Sequence, residues 1–217
     1  MSFNFSSFQF DKSSSTEAKV KITLELINSL ISRSSTRESL KTDGYPENGD
    51  IEQTIRSYQN KGLSLYEQSL RAMETGCGNC QEMAYASGLL LRAGGFTGKL
   101  QVAIFGINHA FLIVDDYILD PWSRSFFPFS TWKDNLKAYG GSVKEGVMRG
   151  RVLSANHYEL EDEEPEVSKT LPTELDQCLP SLENRTKLAI LVGECLSKMQ
   201  NSKSDPDTDK PLTMNNI

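Results

Sequence analysis

Gly76-Cys77-Gly78-Asn79-Cys80-Gln81-Glu82-Met83-Ala84 is a glycine-broken turn that runs directly into a helix and carries a thiol at the junction. Asn79 is a favoured N-cap residue, and Glu82, three positions on, is spaced to reach back to the cap amide. Cys80 therefore falls at the first helical position. The positive end of the helix dipole and the unpaired amides of the first turn stabilise a thiolate there. A cysteine with a purely structural role needs no such place.

A nucleophilic thiol needs a base, and the base needs an orienting partner. The chain has two histidines, His109 and His157. His109 opens Asn108-His109-Ala110-Phe111-Leu112-Ile113-Val114, a run too short, too aromatic and too β-branched for a helix, which predicts a buried strand. Asp115-Asp116 is a turn signal, and Tyr117-Ile118-Leu119-Asp120 reads as the returning strand, stopped by Pro121. Side chains alternate with period two. With a turn of two or four residues, His109 and Asp120 share a face, directly or diagonally opposite.

Gly78-Asn79-Cys80 followed by Ala84, His109 at the head of an apolar strand, and Leu119-Asp120-Pro121 together resemble the core signature of the transglutaminase-like group of papain-like cysteine enzymes. The resemblance spans about Gly76 to Trp122, with 29 residues from Cys80 to His109 and 11 from His109 to Asp120. It implies a thiol nucleophile (Cys80), a general base and acid (His109) and an orienting carboxylate (Asp120). It also implies an α+β, papain-like fold in which the nucleophile helix packs on an antiparallel sheet, with extra N- and C-terminal helices. Ala84 lies one turn below Cys80 on the same helix face, where a small side chain lets the histidine strand approach. The implied chemistry is acyl transfer on an amide of a protein or peptide: glutamine deamidation or transglutamination first, proteolysis as the alternative. Small secreted bacterial effectors that modify a host protein resemble this core.

At 217 residues, 38% hydrophobic and 24% charged, the composition is that of an ordinary globular chain with room for one substantial core. A net charge of −6 argues against a nucleic-acid partner, because such binding rests on phosphate neutralisation by lysine and arginine. No apolar run approaches membrane-spanning length, and the first residues lack a basic start followed by an apolar core, so neither a bilayer segment nor a Sec-type signal is expected. Cys77, Cys80, Cys178 and Cys195 read as free thiols in a reducing, cytoplasmic setting, which includes a host cell entered through a specialised bacterial secretion system. No cofactor and no metal is expected.

Three segments follow from the pattern: 1–15, rich in serine and phenylalanine and expected to be poorly ordered or a strand borrowed by the sheet; a single domain over 16–200; and a disordered tail over 201–217. Val20, Leu24, Ile27 and Ile31 predict a first core helix, with Leu26 and Leu30 widening its stripe. A loop over 42–50 precedes helical patterns at Ile51, Ile55 and Tyr58 and at Leu63, Tyr66, Leu70 and Met73. The Cys80 helix is expected to end at Gly94-Gly95, and Leu100 to Gly106 to form the strand that feeds the hairpin. Thr131 with Asp134 suggests a capping box opening a short helix to Tyr139, closed by Gly140-Gly141. Val147 to Leu153 reads as one more strand, Glu159 to Glu166 as a solvated acidic loop, and the stretch from Ser181 through Met199 as a last helix.

Competing readings attach to several of these residues. Cys77 and Cys80 form a Cys-x-x-Cys pair, which suits a zinc or redox protein, although a second such pair is missing. A binding module that keeps the fold without activity is a further alternative. For the oxyanion, the backbone amide of Cys80 is one natural donor, and Asn79, Gln81 and Asn108 are candidates for a second. The position six before Cys80, which supplies a donor in papain-like proteases, is Glu74, and this departure weighs against peptide hydrolysis.

Overall fold

The computed structural model describes residues 8–39, 49–106, 109–144, 147–154 and 164–203. Five helices come first: α1 (Thr16–Leu30), α2 (Ser35–Ser39), α3 (Gly49–Gln59), α4 (Leu65–Thr75) and α5 (Cys80–Ala93). Strands β1 (Leu100–Phe105), β2 (His109–Val114), β3 (Tyr117–Asp120) and β4 (Ser125–Pro128) follow, then α6 (Trp132–Asn135) and a hairpin of β5 (Lys137–Lys144) with β6 (Val147–Ser154). Strand β7 (Glu166–Thr170), α7 (Leu175–Cys178) and α8 (Leu182–Lys203) complete the order. The class is α+β, with an antiparallel five-stranded sheet ordered β4-β3-β2-β1-β7.

Sequence explains where the helices begin and end. Ser15 caps α1, its hydroxyl accepting from the Ala18 amide, and Val20, Leu26, Ile27 and Ile31 have no exposure at all. Ser64 and Glu67 form a reciprocal capping box at the start of α4, which is why the chain restarts there after Gly62. Gly76 ends α4 in the left-handed conformation (φ 70°) that favours glycine. Two residues on, Gly78 is required for a different reason: a Cβ there would stand 3.0 Å from Ala72 Cβ, 3.2 Å from Ile31 Cγ2 and 3.3 Å from Glu82 Cβ.

Helix α5 is the centre of the core. Ala84, Ala86, Leu89, Leu90 and Leu91 are fully buried, and α5 packs across β1, β2 and β3, where Leu112, Val114 and Leu119 point into the same cluster. Each of these leucines contributes about 1.5–3 kcal/mol by leaving water. The opposite face of the sheet is covered separately: Ala103, Phe105, Phe111, Ile113, Ile118 and Phe127 pack with Trp132 and Leu136.

Several expectations are corrected. Residues 8–15 are not a loose end: Phe8 and Phe10 are buried, and the Phe10 amide donates to the Gly94 carbonyl, its ring filling the space that a Cβ on Gly94 would take. Nor do residues 8–15 form a strand of the sheet. The helix expected over Thr131 to Tyr139 stops at Asn135; Thr131 makes no side-chain cap, and Gly140 and Gly141 lie within β5 instead of closing a helix. Glu166, read as the end of the acidic loop, opens β7, a fully exposed edge strand on β1. Helix α8 runs to Lys203, past the tail boundary at 201. Residues 1–7, 40–48, 155–163 and 204–217, which hold the rest of the N-terminal segment, most of the 42–50 loop, most of the acidic run and nearly all of the tail, lie outside the described residues, as do Asn108 and His157.

Candidate functional site

His109 is the first residue of β2 and Asp120 the last of β3. The two-residue turn at Asp115-Asp116 sets the register Val114↔Tyr117, Ile113↔Ile118 and Leu112↔Leu119. Continued by one step, this register puts Asp120 opposite Phe111 and diagonal to His109 on one face. The side chains meet there: His109 Nε2 lies 2.7 Å from Asp120 Oδ2, and neither side chain has any exposure. The second carboxylate oxygen, Oδ1, accepts from the Ser123 amide at 3.2 Å, so the carboxylate is fixed from both sides.

The other ring nitrogen, Nδ1, is buried and lacks a partner of full hydrogen-bond geometry among the described residues. The Cys80 thiol also acts on the ring, raising its pKa as a side-chain partner and electrostatically. Burial pulls the imidazole pKa down, but the Asp120 carboxylate, reinforced by Cys80, outweighs it and holds the pKa up at about 10. The raised pKa favours the protonated ring, on which both the Asp120 carboxylate and the Cys80 thiol act. Two aromatic rings enclose it: Trp122 at 5.0 Å between centroids and Phe111 at 6.0 Å.

Cys80 starts α5, half-buried, whereas Cys77, Cys178 and Cys195 are buried, and none of the four is in a disulfide. Burial pushes the thiols of Cys77, Cys178 and Cys195 up. Cys77 sits in the core with its carbonyl accepting from Tyr58 Oη at 2.9 Å. Among the described residues, no group of three or more His, Cys, Asp and Glu is placed to hold a metal ion.

The helix start is held by a polar web. Glu82 Oε2 accepts from the Asn79 amide at 3.0 Å, the reciprocal half of the predicted cap, while its Oε1 accepts from Gln59 Nε2 at 2.6 Å. Asn79 Oδ1 accepts from Ser34 Oγ at 2.9 Å, Ser35 Oγ at 3.2 Å and Thr36 Oγ1 at 3.3 Å. Asn79 is thus a structural tie, and its carboxamide oxygen is engaged with residues 34–36. Gln81 is exposed beside Cys80, and the Cys80 amide lies in the first turn of α5. Glu74 accepts from Arg71 along α4, which leaves it no donor role.

Sequence reasoning missed Ser34, Thr36 and Trp122. Trp122 Nε1 donates to Thr36 Oγ1 at 2.9 Å, so the ring over His109 is bonded to the segment that holds Asn79. The signal available was weak: a tryptophan two residues beyond the aspartate, and a serine-threonine cluster 44 residues before the cysteine that only tertiary folding brings near.

No helix among the described residues is long and apolar enough to cross a membrane. A protein-family model described as Dot/Icm T4SS effector Ceg10 matches residues 45–189, more than half of the chain and the span that holds Cys80, His109 and Asp120. No curated protein matches the chain.

Proposed function

The chain belongs to the family of the Dot/Icm T4SS effector Ceg10, and from that membership and the geometry at the start of α5 we propose that it is a cysteine-dependent acyl-transfer enzyme acting on a host protein. The observation that supports the reading is the fully buried His109–Asp120 pair, 2.7 Å apart, with the Cys80 thiol at a helix N-terminus acting on the same ring. A type IV secretion effector meets its target inside a host cell, which suits free thiols and a protein substrate. The resemblance of Gly78-Asn79-Cys80, His109 and Asp120 to the transglutaminase-like group supports the same assignment.

The roles follow from the charges. Asp120 orients the imidazole, and His109 takes the Cys80 proton as the thiol attacks. The sulfur attacks the carbonyl carbon of an amide, and the resulting oxyanion is met by the first-turn amides of α5, beginning with that of Cys80. His109 gives its proton to the departing nitrogen, the carbon–nitrogen bond breaks, and a thioester remains. For a glutamine side chain the leaving group is ammonia. Water, deprotonated by the now neutral imidazole, then yields glutamate; a primary amine yields a cross-link. The missing donor at Glu74 favours side-chain amides over peptide bonds.

The test has two parts. At pH 6.5, iodoacetamide monitored by whole-protein mass spectrometry should label Cys80 well before the other three thiols. Wild-type protein incubated with denatured casein, with and without a primary amine, should shift glutamine masses to those of glutamate or of the amine adduct. Cys80→Ala should abolish this, and Cys77→Ala should retain it. Equal labelling of all four cysteines, or loss of activity in both variants together with bound zinc, would overturn the reading in favour of paired metal ligands.

A further inference from the structure

The Cys80 arm and the His109 arm of the site come from separate parts of the chain, and one side-chain oxygen joins them. Thr36 Oγ1 accepts the indole N–H of Trp122 at 2.9 Å and donates to Asn79 Oδ1 at 3.3 Å, with the Thr36 amide adding a longer bond to the same oxygen at 3.4 Å. Trp122 lies against the His109 ring, and Asn79 is the residue from which Cys80 enters α5. Around this link the backbone is laced as well: the Arg33 amide donates to the Gly76 carbonyl and the Gly78 amide to the Arg33 carbonyl, both at 3.0 Å, so residues 31–36 run beside the turn that delivers the thiol. Thr36 also precedes the matched span of 45–189, so the link comes from the N-terminal segment outside that match.

We propose that Thr36 is a positioning residue, whose hydroxyl fixes the indole over His109 relative to the helix start that carries Cys80 and so sets the thiol–imidazole alignment. The inference rests on the acyl-transfer reading. Imidazole is held at Nε2 by Asp120, which leaves the ring a hinge about that bond; the indole face limits the swing, and Thr36 limits the indole. On the other arm, Asn79 is pinned by Glu82 through its amide and by Ser34, Ser35 and Thr36 through its carboxamide. Only Thr36 among these touches both arms. Among the described residues, the titratable groups that act on the imidazole are Asp120 from β3 and Cys80 from α5, and the aromatic rings of Phe111 and Trp122 lie beside it. Glu82, in the first turn of α5, is engaged by Gln59 and the Asn79 amide. A change in the pH profile of the thiol on altering Thr36 therefore reports alignment and not a new charge.

The experiment is the rate of Cys80 alkylation by iodoacetamide as a function of pH in full-length protein. Thr36→Val keeps the shape and removes the hydroxyl bonds to Trp122 and Asn79 along with the contact to Ser34 Oγ; Thr36→Ser keeps the hydroxyl. The valine variant should react about tenfold more slowly than wild type near pH 6.5, the consequence of losing a pair of neutral hydrogen bonds, and its profile should move toward higher pH. Serine should restore both rate and profile. Trp122→Phe, which removes the N–H donor together with part of the ring against His109, should act in the same direction and be less than additive with the valine change, because both break the Trp122–Thr36 bond. A valine variant that keeps the wild-type profile, or a serine variant that fails to rescue, overturns the inference. If wild-type Cys80 is itself no faster than the buried thiols, the acyl-transfer reading has failed instead. Should the valine variant not fold, the serine and phenylalanine variants decide by the same profile.

Discussion

Asp120→Asn changes one atom's chemistry at the most enclosed point of the site, and its effect can be worked out bond by bond. The aspartate spends Oδ1 on the Ser123 amide and Oδ2 on His109 Nε2. An asparagine offers one acceptor and one donor. With its oxygen toward Ser123, its amino group faces Nε2, which must then accept, and the ring proton is forced to Nδ1, where it blocks the thiol's own proton transfer. With the amide reversed, two donors collide at Ser123. Either way the charge that outweighs burial at His109 is gone, so the imidazole falls from about 10 to below its ordinary range and is neutral at pH 7. A charge pair at hydrogen-bond separation is worth about 4 kcal/mol at an effective dielectric of about 20. Cys80 is partly exposed, so solvent screening leaves roughly half of that. About 2 kcal/mol corresponds to a roughly thirtyfold slower alkylation of Cys80. The assay is the pseudo-first-order rate of Cys80 alkylation between pH 5.5 and 8.5, with urea unfolding as the control for folding. A folded Asp120→Asn protein with the wild-type rate and profile would refute the reasoning.

The pH dependence of stability tests the same pair. His109 binds its proton more tightly in the folded chain than in the unfolded one, so its contribution is fully present below about pH 6.5 and is lost as pH rises through about 10, with a slope of up to about 1.4 kcal/mol per pH unit. The stability gap between wild type and His109→Gln, from urea unfolding at pH 7, 8 and 9, should narrow accordingly; a constant gap would mean that the ring is not held as a cation. At the turn, Gly78→Ala should cost about 1–3 kcal/mol, because its Cβ is hemmed on three sides by Ala72, Ile31 and Glu82, and should also slow Cys80 alkylation. Gly76→Ala has open space but a left-handed φ, so it should lose about 1–2 kcal/mol while leaving the thiol rate alone. Thermal or urea unfolding with the alkylation assay separates the two, and equal effects on the thiol would contradict the steric account.

The parts of this molecule legible in its sequence are those set by local chemistry. The turn at Asp115-Asp116 and the alternation on either side place His109 and Asp120 on one face without any knowledge of the rest of the chain. The caps at Ser15, Ser64 and Asn79, and the stripes on α1, α3 and α4, are likewise short-range patterns. What was illegible depends on distant partners. β7 carries five exposed residues, so no alternation marks it, and only hydrogen bonding to β1 makes it a strand. Gly140-Gly141 reads as a stop, yet in a two-stranded hairpin glycines need no side-chain packing to hold their pairing. Phe10 is buried because Gly94 lacks a Cβ, and Trp122 meets Thr36 across 86 residues; neither contact leaves a local trace.

A buried ion pair is a poor device for stability. Desolvating two charges costs several kcal/mol each, and well-packed hydrophobic residues in the same volume commonly do as well or better. The sheet around His109 and Asp120 has those residues in abundance: Phe111, Ile118 and Leu119 are completely buried beside them. Dryness does, however, give the pair something that a surface pair lacks, because a carboxylate cut off from water controls its neighbour's proton far more strongly. The same site then leaves the thiol, alone of the four, at the boundary with solvent and at the positive end of a helix. On the proposed acyl-transfer reading, a carboxylate–imidazole pair sealed away and a sulfur left near solvent are the two halves of a nucleophile, and the Thr36 link is the part proposed to keep those halves in register.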